Sequence, residues 1–246
     1  MDMETRSSRR GKNPESGTKI TNESAPNKEF WKINFGVLTI SGDIGTGKTT
    51  LADILAKKYG IPEERNIKIG QELRSATNTI DEEGPIERSD DVNNNFDSMQ
   101  KTIIENADEK HSYILESRLA GIMAYQERKS SPELPIVSIL LTASPDTIFN
   151  RIKGRRSGLS KDEIAKKVRE RTKSDLDLGK EKYGENIESL FDFKYFDLII
   201  DTDSMSSEQI VALIHGYLLE YGFISKKEDE SKASPMEHQI FPNPNV

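Results

Sequence analysis

Apolar positions in this chain come in short blocks, and the blocks alternate between two spacings. Phe35 to Ser41 is a short, β-branched, largely apolar run, the pattern of a strand buried inside a sheet. Lys48 to Tyr59 then places Leu51, Ile54, Leu55 and Tyr59 at helical spacing, and Gly60 with Pro62 marks the stop. Asn66 to Gly70 reads as a second short strand, and a helix follows from Gln71 to Ala76. The polar, acidic stretch from Thr77 to Asp91 reads as a loop. From Val92 to Asn106 the helical period returns in Phe96, Met99 and Ile103, with Asp97 and Gln100 on the flank. Tyr113 to Glu116 and Ile136 to Thr142 are strands three and four, and Ser144-Pro145 opens a helix through Ile152. Ser160-Lys-Asp-Glu163 is a capping box that starts a long charged helix to about Tyr183. Phe196 to Asp201 is the fifth strand, and Ser207 to Tyr221 carries Ile210, Leu213, Ile214 and Leu218 on one helical face.

Strands alternating with helices predict an α/β fold, a parallel sheet covered by helices on both faces. In such sheets ligands bind beyond the carboxyl ends of the strands, which singles out Glu116, Ser117, Arg118 and Asp201.

Composition changes this picture only at the ends. Apolar residues make up 34% of the 246-residue chain and charged residues 31%, a poor ratio for a packed domain. Residues 1–32 and 224–246, however, have no apolar periodicity and read as disordered tails, which leaves 33–223 as one domain. No run of eighteen apolar residues occurs, so no membrane span is expected. The absence of cysteine excludes disulfides, thiolate catalysis and a cysteine zinc site, and fits a cytoplasmic protein. A net charge of −7 argues against broad nucleic-acid binding. It also means that an anionic substrate must be met by locally clustered arginines. The three histidines show no ligand or triad spacing.

The candidate chemistry begins at Gly42-Asp-Ile-Gly-Thr-Gly-Lys-Thr-Thr50, which fits G-x-x-x-x-G-K-[ST] and lies between the first strand and the first helix. Glycines let successive backbone N–H groups turn inward on a phosphate, and the helix N-terminus adds unpaired donors. The loop residues Gly42, Asp43, Ile44, Gly45, Thr46, Gly47, Lys48, Thr49 and Thr50 are therefore expected to hold ATP. Lys48 would reach the β- and γ-phosphates, and the Thr49 hydroxyl would sit on Mg²⁺. Taken alone, Arg155-Arg156 reads equally as solvated surface, and Arg171 with Asp175 as an exposed i,i+4 pair. Asp97 and Gln100 read as the polar edge of an amphipathic helix.

Five segments together carry a family resemblance. They are the loop Gly42 to Thr50, Gly70-Gln-Glu-Leu-Arg74, Glu116-Ser-Arg-Leu-Ala-Gly121, Arg169-Glu-Arg171 with Asp175, and Phe196-Asp-Leu-Ile-Ile-Asp-Thr-Asp203. Across roughly Val37 to Ile214 the chain resembles the cytidylate kinase family, in particular its archaeal-type branch. The loop alone marks only a very large superfamily; Leu-Ala-Gly after Arg118 and the closing Asp-Thr-Asp are more specific. Three positions depart from the family pattern. Gln71 stands where an Asp is usual, Ser117 replaces a glycine, and Leu178 takes the place of a second arginine on the long helix.

The resemblance implies a P-loop kinase fold: a five-stranded parallel sheet with helices on both faces, a nucleoside-monophosphate-binding insert and a small lid. It implies that Arg74 and Arg118 hold the acceptor phosphate, and that Arg155 and Arg171 neutralise the transferring phosphoryl. Lys48, Arg118, Arg155 and Arg171 would thus be catalytic. Glu116 would join Thr49 around Mg²⁺, Asp175 would orient Arg171 and contact the acceptor, and Asp97 and Gln100 would face the acceptor base. Thr202 to Ser204 would lie near the donor adenine. The expected reaction moves the γ-phosphate of ATP to CMP or dCMP in a monomer that needs only small-molecule nucleotides as partners. A P-loop kinase for AMP or another small acceptor, and a non-catalytic nucleotide-binding module, stay open as alternatives. Arg171, Asp175 and Leu178 should share one helix face, so that Leu178→Arg would add a phosphate contact that Arg156 now supplies.

Overall fold

The computed structural model describes residues 31–77, 89–155, 158–184 and 187–227. Five parallel strands form the central sheet: β2 (Val37–Gly42), β3 (Asn66–Lys68), β4 (Tyr113–Glu116), β5 (Ile136–Thr142) and β6 (Leu198–Asp201). Their spatial order is β3-β4-β2-β5-β6, so the strand that leads into the glycine loop lies at the centre. Every residue of β2 is buried, as the unbroken apolar run requires. Seven helices are described: α1 (Lys48–Tyr59), α2 (Ile69–Thr77), α3 (Asp90–Glu105), α4 (Ala120–Ser130), α5 (Pro145–Arg155), α6 (Lys161–Tyr183) and α7 (Ser207–Glu220).

The two faces of the sheet bury separate cores. Leu38, Ile40, Ile114, Val137 and Ile139 face α1 and α7, whereas Val37, Leu115 and Ile136 face α2, α3 and α4. Neighbours along a strand thus point to opposite sides, the period of two that a pleated strand imposes. Each fully buried Leu or Ile contributes roughly 1.5–3 kcal/mol through removal from water.

Several boundaries moved. The strand expected over 66–70 ends at Lys68, because Ile69 and Leu73 are both buried and α2 begins at Ile69, two residues earlier than expected. The apolar pattern gives no sign of α4, whose first five residues are all buried. The domain also extends beyond 33–223: β1 (Trp31–Ile33) pairs antiparallel with β7 (Ile224–Lys226), with Ile33 opposite Ile224. Trp31 makes an edge contact with His215 at 4.5 Å, and the Tyr59 hydroxyl lies 3.1 Å from His215 Nδ1. Three-residue strands lack enough positions to show a period, so these residues read as tail. The remaining tail residues, 1–30 and 228–246, lie outside the described residues, as does Arg156.

Candidate active site

At the carboxyl end of β2 the chain turns into the glycine loop. Gly42 has φ 143°, and a Cβ there would come within 2.3 Å of the Leu141 carbonyl on the neighbouring strand. Only glycine fits that approach. Gly45 and Gly47 also have positive φ, 80° and 96°, and Gly47 is the residue before α1. The loop is braced from within: Thr46 Oγ1 donates to the Asp43 carbonyl at 2.8 Å, and so does Lys48 Nζ, also at 2.8 Å.

Lys48 is buried, and its nearest described carboxylate, Glu116, lies 3.9 Å away. Burial pushes its ammonium down to about 8; Glu116 acts in the opposite direction, Arg118 adds to the fall, and Asp43 opposes it. Thr49 Oγ1 is 3.4 Å from Glu116 Oε2. A hydroxyl and a carboxylate beside a buried ammonium are hard oxygen donors where a nucleotide-bound Mg²⁺ needs them. The residues present therefore fit Mg-ATP. Thr50, although exposed, lines the cleft together with Ile44 and Gly45.

The cleft has a volume of about 1200 Å³, and its far wall comes from other elements. Arg74 on α2 donates Nη1 to the Gly70 carbonyl at 2.7 Å. A Cβ built on Gly70 would lie 3.4 Å from Arg74 Nη1 and 3.8 Å from Arg171 Nη2, so guanidinium groups from two helices converge there. Arg118, just past β4, is 7% exposed. It donates Nη1 to Asp43 Oδ1 at 2.5 Å and Nη2 to Thr172 Oγ1 at 2.8 Å, and its Nε is 2.8 Å from Asp175 Oδ2. Its guanidinium also lies 5.2 Å from the Phe191 ring centroid.

Arg171 and Asp175 correct the simplest sequence reading. Their spacing suggested an exposed pair, yet both are buried, 3.8 Å apart, and both line the cleft. Arg169, two positions from Arg171, is exposed on another side of α6. Leu178 corrects the expectation built on that face: it packs against the second core with Phe96 and Val92 and is not among the residues that line the cleft. An arginine there would enter an apolar contact rather than meet phosphate.

Ser117 is also explained. Its Oγ accepts from Leu119 N at 3.3 Å, and its carbonyl accepts from Ser41 Oγ at 2.8 Å, so it fastens the turn into α4 to β2. Gly121 owes its place to packing, since a Cβ there would fall 2.2 Å from Phe196 Cε1. That close approach couples two of the segments quoted above.

Arg155 ends α5, is exposed and lines the cleft, with Nε 3.4 Å from the Arg151 carbonyl. Arg151 was missed. It donates to Gly45 O at 3.2 Å, to Thr202 Oγ1 at 2.9 Å and to Thr202 O at 2.6 Å, and so binds the glycine loop to the end of β6. Its one sequence signal is its place four residues before Arg155, on the same helix face. Asp97 and Gln100 of α3 both line the cleft, and Asp97 is ion-paired with Lys182 of α6.

Comparison with known proteins agrees with this geometry. A family model described as an AAA domain matches residues 38–177. The cytidylate kinase of Methanopyrus kandleri is 31% identical over 182 residues, a match that covers 72% of this chain and 90% of that protein. The cytidylate kinase of Methanosarcina mazei is also 31% identical, over 179 residues, with 72% and 93% covered. Among solved structures, an uncharacterized protein from Eubacterium ventriosum ATCC 27560 superposes with a TM-score of 0.53 at 17% identity, covering 74% of this chain and 97% of that one. That likeness shows the fold alone. With a phosphate-binding loop facing convergent arginines, and two relatives matched over nearly their whole length, the chain belongs to the cytidylate kinase family.

Proposed function

We propose that this protein transfers the γ-phosphate of ATP to CMP or dCMP, giving ADP and the cytidine diphosphate. An oxygen of the acceptor phosphate attacks the γ-phosphorus, and the bond from that phosphorus to the β,γ-bridging oxygen breaks, so that ADP leaves with the electron pair. Such a transfer needs alignment and positive charge more than covalent help. The observation that carries this reading is the meeting of two anion-binding walls across one cleft. The loop with Lys48 lines that cleft together with Arg74, Arg118 and Arg171, and Arg118 reaches the loop itself through Asp43.

Each residue then has a task. The backbone from Gly42 to Thr50 and the Lys48 ammonium hold the donor phosphates. Thr49 and Glu116 would hold Mg²⁺, which supplies charge neutralisation on the phosphate oxygens when bound. Arg74 and Arg118 hold the acceptor phosphate; guanidinium forks suit two phosphate oxygens at once, which an ammonium does not. Arg171, turned by Asp175, and Arg155 at the end of α5 supply charge to the migrating group. Arg118 keeps its two carboxylate partners until a phosphate competes for it. Arg151 sets the donor end of the cleft by fixing the loop against Thr202.

The test is ADP release from ATP with CMP, dCMP, UMP, AMP, GMP and simple sugars as acceptors. CMP and dCMP should give the largest stimulation. A clear preference for AMP or a sugar, or no stimulation by any acceptor, would reject this reading.

A further inference from the structure

Asp43 belongs to the glycine loop by sequence and to the acceptor wall by its side-chain contacts. Its main chain serves the loop, since the carbonyl receives Thr46 Oγ1 and Lys48 Nζ. Its carboxylate is turned elsewhere. Asp43 is not among the residues that line the cleft, although Ile44 to Thr50 all are. Oδ1 accepts from Ile44 N at 2.7 Å and from Arg118 Nη1 at 2.5 Å, the latter across 75 residues. A carboxylate turned into a phosphate-binding loop would repel the triphosphate; turned to Arg118, it is neutralised. The bond from Ile44 N fixes the carboxylate within its own turn, so Arg118 meets a post rather than a swinging chain.

A second post stands beside it. Thr172 on α6 also lies outside the cleft lining, and its Oγ1 accepts from Arg118 Nη2 at 2.8 Å. Its single proton goes to the Val168 carbonyl at 2.9 Å, which leaves the lone pairs for the guanidinium. Arg118 is thus held at both terminal nitrogens by residues outside the cleft, with the Phe191 ring centroid 5.2 Å away. Each terminal nitrogen carries a second N–H that these two bonds do not use. Of the two carboxylates on Arg118, Asp175 at Nε is the one that lines the cleft. An entering phosphate therefore competes with Asp175 and leaves Asp43 in place.

We infer that Asp43 and Thr172 are positioning residues for the acceptor, and that the Asp43 side chain serves the acceptor phosphate through Arg118 rather than ATP. The inference rests on the reading of Arg118 above as a holder of acceptor phosphate, and adds what keeps that guanidinium aimed. A long side chain fixed in advance spares the binding step the cost of ordering it. A residue of the donor loop thereby sets affinity for the other substrate. Asparagine at position 43 would accept the same two hydrogen bonds, so placement of the guanidinium, more than charge, is what Asp43 contributes.

The experiment measures KM and kcat for CMP and for ATP, each with the other saturating, in the natural protein, Asp43→Ala, Asp43→Asn and Thr172→Val. Asp43→Ala should raise KM for CMP by on the order of 10 to 10², the loss of a hydrogen bond to a charged group. Its KM for ATP should stay within about threefold of the natural value. Asp43→Asn should bring KM for CMP back to within about threefold, because its amide oxygen accepts in the same place. Thr172→Val should raise KM for CMP by about three- to tenfold and leave KM for ATP unchanged. In an Arg118→Met background, Asp43→Ala should lower kcat/KM for CMP by less than about twofold, because the group it positions is gone.

An equal rise in KM for ATP and for CMP in Asp43→Ala overturns the inference, because the side chain then serves the loop. A loss as deep in Asp43→Asn as in Asp43→Ala overturns it too, since the amide keeps both bonds. If Asp43→Ala does not fold by circular dichroism, Thr172→Val decides: an unchanged KM for CMP sinks the inference. In each of these cases CMP still stimulates ATP turnover in the natural protein, and the cytidylate reading stands. No stimulation of the natural protein by any monophosphate removes that reading first and the inference with it.

Discussion

The two walls of the cleft are built in opposite ways. The wall proposed for the donor is one continuous stretch, β2, the glycine loop and α1, braced within itself and tied from a distance by Arg151 and Arg118. The wall proposed for the acceptor is assembled from four places: Arg74 on α2, Gln100 on α3, Arg118 after β4, and Arg171 with Asp175 on α6. The donor wall is braced by its own backbone, as the Asp43 carbonyl shows by receiving both Thr46 and Lys48. The acceptor wall is braced by side chains across long sequence separations, Arg118 with Asp43, Thr172 and Asp175 foremost. Local geometry gives the first wall its fixed shape. Charge pairing holds the second, and a bound phosphate can compete with such pairing.

The largest expected effect tests the donor wall. Lys48→Ala should lower turnover by on the order of 10² to 10³, because it removes a preorganised cation at the transferring phosphate. The circular dichroism spectrum should not change, since a buried ammonium stabilises the substrate-free fold little. Near-normal turnover in steady-state assays would show that ATP reacts elsewhere.

A smaller effect tests the acceptor wall. Leu178→Arg should destabilise by about 2 kcal/mol, because the guanidinium must replace a partly buried apolar side chain that packs against the second core. Urea unfolding measures the loss, and kcat/KM for CMP should not rise. A rise in kcat/KM would mean that the face of α6 carrying Leu178 does turn to the phosphates.

The smallest effect, counted per pH unit, returns to Lys48. Its ammonium titrates near 8 in the fold and at 10.5 in the unfolded chain. Between those values the unfolded state holds more protons, so this residue makes stability rise with pH; below 8 both states are protonated and the fold carries the whole cost of the buried charge. ATP phosphates favour the ammonium, so binding above 8 must take up a proton. The dissociation constant for ATP should therefore weaken by about tenfold per pH unit above that point. Calorimetry in buffers of different ionisation enthalpy measures both the affinity and the proton uptake. A flat affinity to pH 10 would show that Lys48 stays charged without a ligand.

What could be read in advance divides along the same line. Strands β4 and β5 and helix α6 match the expected limits, because an apolar run or a capping box marks their ends within a few residues. Helix α4 escaped notice because Ala120 to Ala124 are all buried, so no polar face gives it a helical period. The β1–β7 ribbon escaped because three-residue strands show no period and find each other across the whole chain.

The sequence alone determined the alternation of strands and helices, the phosphate-binding loop and the roles open to Lys48 and Thr49. Those properties depend on backbone conformation and on spacing within a few turns. Only the tertiary structure decided that Arg171 and Asp175 are buried partners, that Leu178 belongs to the core, that Arg151 fixes the loop, and that Asp43 turns its carboxylate to Arg118. Side-chain chemistry states what a residue can bind. Burial and neighbours, which arise from contacts between distant segments, decide which of those partners remain to be found outside the protein.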